Sequence, residues 1–178
     1  MATLTEAGLV EMRLVKVVAL AISDGEPSTV AVLEAVSQDQ VLPIEIGPAE
    51  AFNLAAALTG VELVRPMGPQ FAAGLVRALG GRVRQVRIDR LIPMSGGSAF
   101  GAVVEVEGPA GIEVVDARPS DALNLLALMP APVFASPGVL AEAATRMEGD
   151  SAEATLLRRA LELEQMTVRQ HHHHHHHR

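Results

Sequence analysis

The feature that most restricts this chain is that its sequence nearly repeats itself. A shift of 71 residues lays 30–58 over 101–129 without a gap. Ala31, Val32, Glu34, Pro48, Ala51, Asn53, Leu54 and Ala56 then fall on Ala102, Val103, Glu105, Pro119, Ala122, Asn124, Leu125 and Ala127. Two acids keep their character, Glu45 on Asp116 and Glu50 on Asp121. A unit of about 70 residues, present only twice, is too long and too few for a solenoid. The pattern predicts one domain built from two similar halves.

Each copy reads as three strands followed by two helices. In the first, "RLVKVVALAI", "VAVLEAV" and "VLPIEI" are strands, separated by the turn-forming "SDGEPST" and "SQDQ". In the second, "RVRQVRIDRLI", "SAFGAVVEVE" and "GIEVVDA" take the same places, and "SGGSAFG" and "GPAG" supply the turns. The helices are "PAEAFNLAAALTG" with "PQFAAGLVRALGG", and "PSDALNLLALM" with "PGVLAEAATRMEG". Short turns give antiparallel pairs with helices covering a face. The expected fold is α+β: an internally duplicated three-strand/two-helix unit with a mainly antiparallel sheet, plus a C-terminal helix. The domain spans 1–149, with halves at about 13–82 and 83–149 and a helix at 150–169 capped by Asp150 with Glu153. Core positions are expected at Val17, Val32, Ile44, Leu54, Leu75, Val103, Val115, Leu125 and Leu128.

The alphabet excludes much chemistry. There is no Cys, so disulfides, thiolate catalysis and Cys-ligated zinc are excluded. All seven His lie at the C-terminal end, where 170–178 reads as a purification tag and stands outside the fold. Without them the commonest general base near neutral pH is missing, and Ser/His catalysis goes with it. No run approaches the roughly 18–20 apolar residues that cross a bilayer, and the first residues carry acids where a secretory signal carries positive charge. A cytoplasmic protein with no membrane partner is expected. The formal net charge is −7, and Trp and Tyr are absent, which argues against an aromatic platform for stacked bases.

Two constellations carry what chemistry remains. Pro48 and Pro119 take the first helical position, which places Glu50 and Asp121 in the first turn, at the positive end of the helix dipole. Capping explains both acids; Glu45 and Asp116, which end apolar strands, need a partner, and Arg118 is the nearest cation. If the halves meet across a two-fold axis, the four carboxylates surround one spot suited to Mg²⁺ or Mn²⁺, with Asp116, Asp121 and Glu45 as ligands. The second constellation is basic: "RALGGRVRQVRIDR" sets Arg77, Arg82, Arg84, Arg87 and Arg90 against the lone Asp89. Phosphate contact and charge protection of an edge strand both account for it.

"VLPIEIGPAEA", "RPSDA" within "DARPSDALNLLAL", and the Arg65–Pro66 pair in "ELVRPMGPQFAAGLVRALGGRVRQVRI" resemble the bifunctional nuclease domain family over roughly residues 13–147. The resemblance implies a duplicated α+β fold, an oligomer, and DNase and RNase activity. It carries over Glu45, Glu50, Arg65, Asp116, Arg118 and Asp121; where the family commonly has a His-Asp pair after Arg-Pro, this chain has Pro69 and Gln70. Two functions follow. One is a metal-dependent nuclease with Glu45, Glu50, Asp116 and Asp121 as catalytic groups and Arg65, Arg118, Arg82 and Arg84 on the nucleic acid. The other is a non-catalytic homo-oligomeric adaptor that keeps the fold.

Overall fold

Strand β2 (Ser28–Ala35) is apolar on both faces, and burial follows that pattern. Ala31, Leu33 and Ala35 face a large core, whereas Val30 and Val32 face a smaller cluster on the opposite side of the sheet. The computed structural model describes residues 8–21, 25 and 27–163. It has β1 (Val10–Leu20), β2, β3 (Val41–Ile46), α1 (Pro48–Thr59) and α2 (Gly68–Ala78). The second half has β4 (Arg82–Met94), β5 (Gly97–Gly108), β6 (Gly111–Ala117), α3 (Pro119–Leu128), β7 (Val133–Ala135), α4 (Pro137–Arg146) and α5 (Ala152–Glu162). The expected α+β architecture, with a mostly antiparallel sheet and a C-terminal helix, is the one observed.

The strands form one seven-stranded sheet in the order β3-β2-β1-β7-β4-β5-β6. Both meanders, β1-β2-β3 and β4-β5-β6, are antiparallel throughout. They are joined through β7, which the sequence reading misses; it pairs antiparallel with β1 and parallel with β4. Gly96 and Gly97, both at positive φ, make the β4–β5 turn as "SGGSAFG" predicts.

The large core lies under α1, α3 and α4, with Leu33, Leu42, Leu54, Ile88, Leu123 and Val139 fully enclosed. On the other face α5 covers Val18, Leu20, Val30 and Val32 through Leu156, Leu157 and Ala160. Ser151, not Asp150, caps α5: its Oγ accepts from the Ala154 N–H at 3.0 Å. Lys16 of β1 closes the far end, with Nζ donating to the carbonyls of Leu161 at 2.9 Å and Leu163 at 2.7 Å. That cation satisfies carbonyls a helix end leaves open. Residues 164–169 of the expected tail helix, and the tag at 170–178, lie outside the described residues.

Of the expected core, Val32, Ile44, Leu54 and Val103 are buried, while Val17, Leu125 and Leu128 are partly buried. Leu75 and Val115 are not core: they are about half exposed, at 49% and 50%. Leu75 belongs to α2, whose only buried residue is Ala73, and Val115 to β6, the uncovered edge of the sheet. A correct apolar period marks a face without saying that a partner covers it.

Candidate functional site

The first turns of α1 and α3 meet. Pro at the first helical position starts each helix, and neither N-cap residue, Gly47 or Arg118, caps with its side chain. Arg118 instead reaches forward one turn, donating from Nε and Nη2 to the two carboxylate oxygens of Asp121, each at 2.8 Å. Its Nη2 also lies 3.3 Å from Glu50 Oε1. One guanidinium thus bridges acids from the two halves that the 71-residue shift superposes. The hydrogen bonds and charge of Asp121 hold the Arg118 pKa above its ordinary value against the cost of desolvation, with Glu50 adding a smaller push in the same direction as Asp121. Arg118 is a permanent cation, and among the described residues its Nη1 has no hydrogen-bond partner.

Glu50 is positioned from behind. Its carboxylate folds back over Gly47, and a Cβ at that residue would overlap Glu50 Oε2. The backbone of Gly47 is extended, so its lack of a side chain serves space rather than conformation. Below the triad, Asn124 Nδ2 donates to the Glu50 carbonyl at 3.1 Å and the Ser120 carbonyl at 3.0 Å, tying the two helices together.

The triad borders a cavity of about 550 Å³ between α2, α3 and the β5–β6 ribbon. Its walls are mostly aliphatic, including Val76, Val104, Val106, Val115 and Leu125, with Asn53 and Asn124 beside Glu50, Arg118 and Asp121. Pro69 lines this cavity too. Gln70 serves the backbone: its Oε1 accepts from the Met67 N–H at 3.1 Å at the start of α2.

The strand-end acids are elsewhere. Asp116 is exposed and pairs with Arg90 at 2.7 Å, not with Arg118. Glu45 is exposed on the edge strand β3 and lines a second cavity of about 360 Å³ with Arg118, Arg146 and Glu153. Among the described residues no three Asp, Glu, His or Cys side chains form a group able to hold a metal ion. The expected set of Asp116, Asp121 and Glu45 is therefore not a common coordination sphere within one chain. Between Glu50 and Asp121 the guanidinium already takes the place of a cation.

The basic segment is neutralised by its own hairpin. Arg82 pairs with Glu107, Arg84 with Glu105 at 3.2 Å, and Arg87 with Glu105 at 3.0 Å and Asp89 at 3.4 Å. The register sets Arg82 opposite Glu107, which sequence alone does not reveal. Arg65 is exposed in the connection between α1 and α2 and has no ion pair among the described residues.

The protein is an α+β domain in which two helix N-termini share a carboxylate–guanidinium–carboxylate triad beside an apolar cavity. The bifunctional nuclease domain model matches residues 31–148, which contain the whole triad, and the chain belongs to that family. Among curated proteins it is similar to an uncharacterized Mycobacterium tuberculosis protein, Rv1829 in strain H37Rv and MT1877 in strain CDC 1551 / Oshkosh. Each is 30% identical over 151 residues, covering 84% of this chain and 88% of the relative.

Proposed function

We propose that the protein hydrolyses phosphodiesters of DNA or RNA at the Glu50–Arg118–Asp121 triad. The observation that carries this reading is the triad itself, a fixed cation with a free donor edge between two carboxylates in a matched family domain. Arg118 Nη1 binds a phosphate oxygen and stabilises the charge that develops on it. Glu50, with Gly47 at its back, accepts the proton of the water whose oxygen bonds to phosphorus; the opposite P–O bond breaks, the departing alkoxide is protonated from solvent, and Asp121 holds Arg118 in place. Arg65 supplies a second phosphate contact. Arg82 and Arg84, already paired, contribute little to binding, and Glu45 and Asp116 lie outside the reacting centre.

Digestion of fluorogenic DNA and RNA, with Mg²⁺, with Mn²⁺ and with chelator, tests the reading. Wild type should cleave, and Glu50→Gln and Arg118→Gln should each lose at least about a hundredfold in rate. Cleavage unchanged in both variants refutes it. Among the described residues no three acids form a group that would hold a divalent ion, so no step here runs through one.

A second reading, a homo-oligomeric adaptor, draws on the exposed apolar side chains. Phe71 and Leu75 of α2 and Leu79 at its C-cap are 64%, 49% and 75% exposed, and the edge strand β6 bares Ile112, Val114 and Val115. Light scattering distinguishes it: a monomer at all concentrations excludes self-association through this face.

A further inference from the structure

The triad occupies only the border of the cavity beside it. The walls are aliphatic, and no aromatic side chain among the described residues lines them. Much of that apolar surface is wet. Val115 is half exposed, Val76, Val106 and Leu125 are only partly buried, and Ala49 and Ala72 are exposed. The space, about 550 Å³, lies within the roughly 300–1,000 Å³ of small-molecule sites. An apolar group that displaces water from such walls is stabilised there. The border has the opposite chemistry. Helices α1 and α3 both begin there without a side-chain cap, and each helix dipole sets about half a positive charge at that end. The two dipole ends offset the one excess negative charge of Glu50, Arg118 and Asp121, and Arg118 Nη1 still has a donor to give.

We propose that this cavity binds a free amphiphile, with an unbranched aliphatic chain against Val76, Val106, Val115 and Leu125 and an anionic phosphate head on Arg118. The proposal goes beyond hydrolysis of nucleic acid and shares with that reading only the phosphate contact of Arg118. Chemistry favours a chain over a base. An alkyl chain needs no hydrogen bond from walls of Val, Leu, Ala and Pro, whereas a base leaves most of its ring donors and acceptors against aliphatic carbon. A phosphate rather than an ammonium head suits two uncapped helix starts, whose dipoles disfavour a cation. Because the head and a phosphodiester need the same guanidinium, the amphiphile excludes nucleic acid from the triad.

The test is titration calorimetry at low salt with butyl, hexyl and octyl phosphate, each below its micelle concentration. Each methylene that enters the cavity should tighten binding about twofold to fourfold, so octyl phosphate should bind wild type at least about tenfold tighter than butyl phosphate. Ala72 lines the cavity and is exposed, so Ala72→Trp fills the space without entering the core and should abolish that difference. Ala78 is exposed on the same helix, off the cavity wall, and Ala78→Trp should keep it. Arg118→Gln should weaken all three phosphates at least about tenfold and leave the length dependence in place. Affinity flat across the series, indifference to Ala72→Trp or to Arg118→Gln, or octyltrimethylammonium bound as tightly as octyl phosphate overturns the proposal. So does binding to phosphatidic acid vesicles alone, which assigns the exposed apolar face to a lipid surface. Length-dependent binding by a protein that cleaves neither DNA nor RNA supports the cavity and removes the nuclease reading. Cleavage that octyl phosphate leaves uninhibited, with flat affinity across the series, supports the nuclease reading and removes the amphiphile.

Discussion

Replacing Gly47 by Ala separates stability from site geometry. The added Cβ meets Glu50 Oε2, the mobile end of a flexible side chain, so the carboxylate turns away while the helix stays. The extended backbone at Gly47 suits Ala, which stabilises by about 0.4–1 kcal/mol through the unfolded chain. Against this stand the poorer N-cap, up to about 1 kcal/mol, and the lost Glu50–Arg118 pair. With Arg118 65% exposed and Glu50 26% exposed, that pair is worth about 0.2–1 kcal/mol. The net change lies between a gain of about 0.8 and a loss of about 1.6 kcal/mol, at most about 6 °C in Tm at this size. Hydrolysis, if Glu50 is the base, falls by about a hundredfold. A double-mutant cycle with Glu50→Ala reads the cause: in that background Gly47→Ala should have no further effect on rate. An equal drop in both backgrounds refutes the positional argument.

Leu54→Ala, at a fully buried site, should cost about 2–5 kcal/mol in urea unfolding, whereas Leu75→Ala, half exposed, should cost under about 1 kcal/mol in the monomer. Lys16→Met removes the donor at the end of α5 and should cost about 1–3 kcal/mol, with hydrogen exchange accelerated first across 152–162. Arg87→Met leaves Glu105 with Arg84 and Gln85 and Asp89 with Arg90, and should cost about 1–3 kcal/mol, against under about 1 kcal/mol for the exposed Arg82→Met. Because the pKa of Arg118 is raised, its stabilising charge persists through the alkaline range. In wild type Arg118 should therefore cause no alkaline fall in rate between about pH 8 and 10, whereas Arg118→Lys, whose ammonium ordinarily titrates at about 10.4, should begin to fall there, as a pH–rate profile would show.

Signals that act within a few residues were legible in the sequence. Pro48 and Pro119 open their helices where expected, Asp121 sits one turn from Arg118, and both meanders follow their turn residues. What depended on packing between distant segments was not. The contact of Glu50 with Arg118 needs α1 laid against α3, and the pairing of Asp116 with Arg90 needs β4, β5 and β6 side by side. The arginines of β4 suggest a phosphate surface only until β5 brings Glu105 and Glu107 alongside. Strand β7 was missed because Val133, Phe134 and Ala135 are too few to show alternation. Its existence is decided by the two neighbours that flank it.

That short strand has a mechanical consequence. Each three-strand ribbon keeps all its own rungs when residues 133–135 are withdrawn, yet the sheet as a whole then loses its continuity. Any separation of the sheet into its two ribbons thus has to break one stitch three residues long, directly ahead of the Ser136 that caps α4, along with the α1–α3 contact that Asn124 ties.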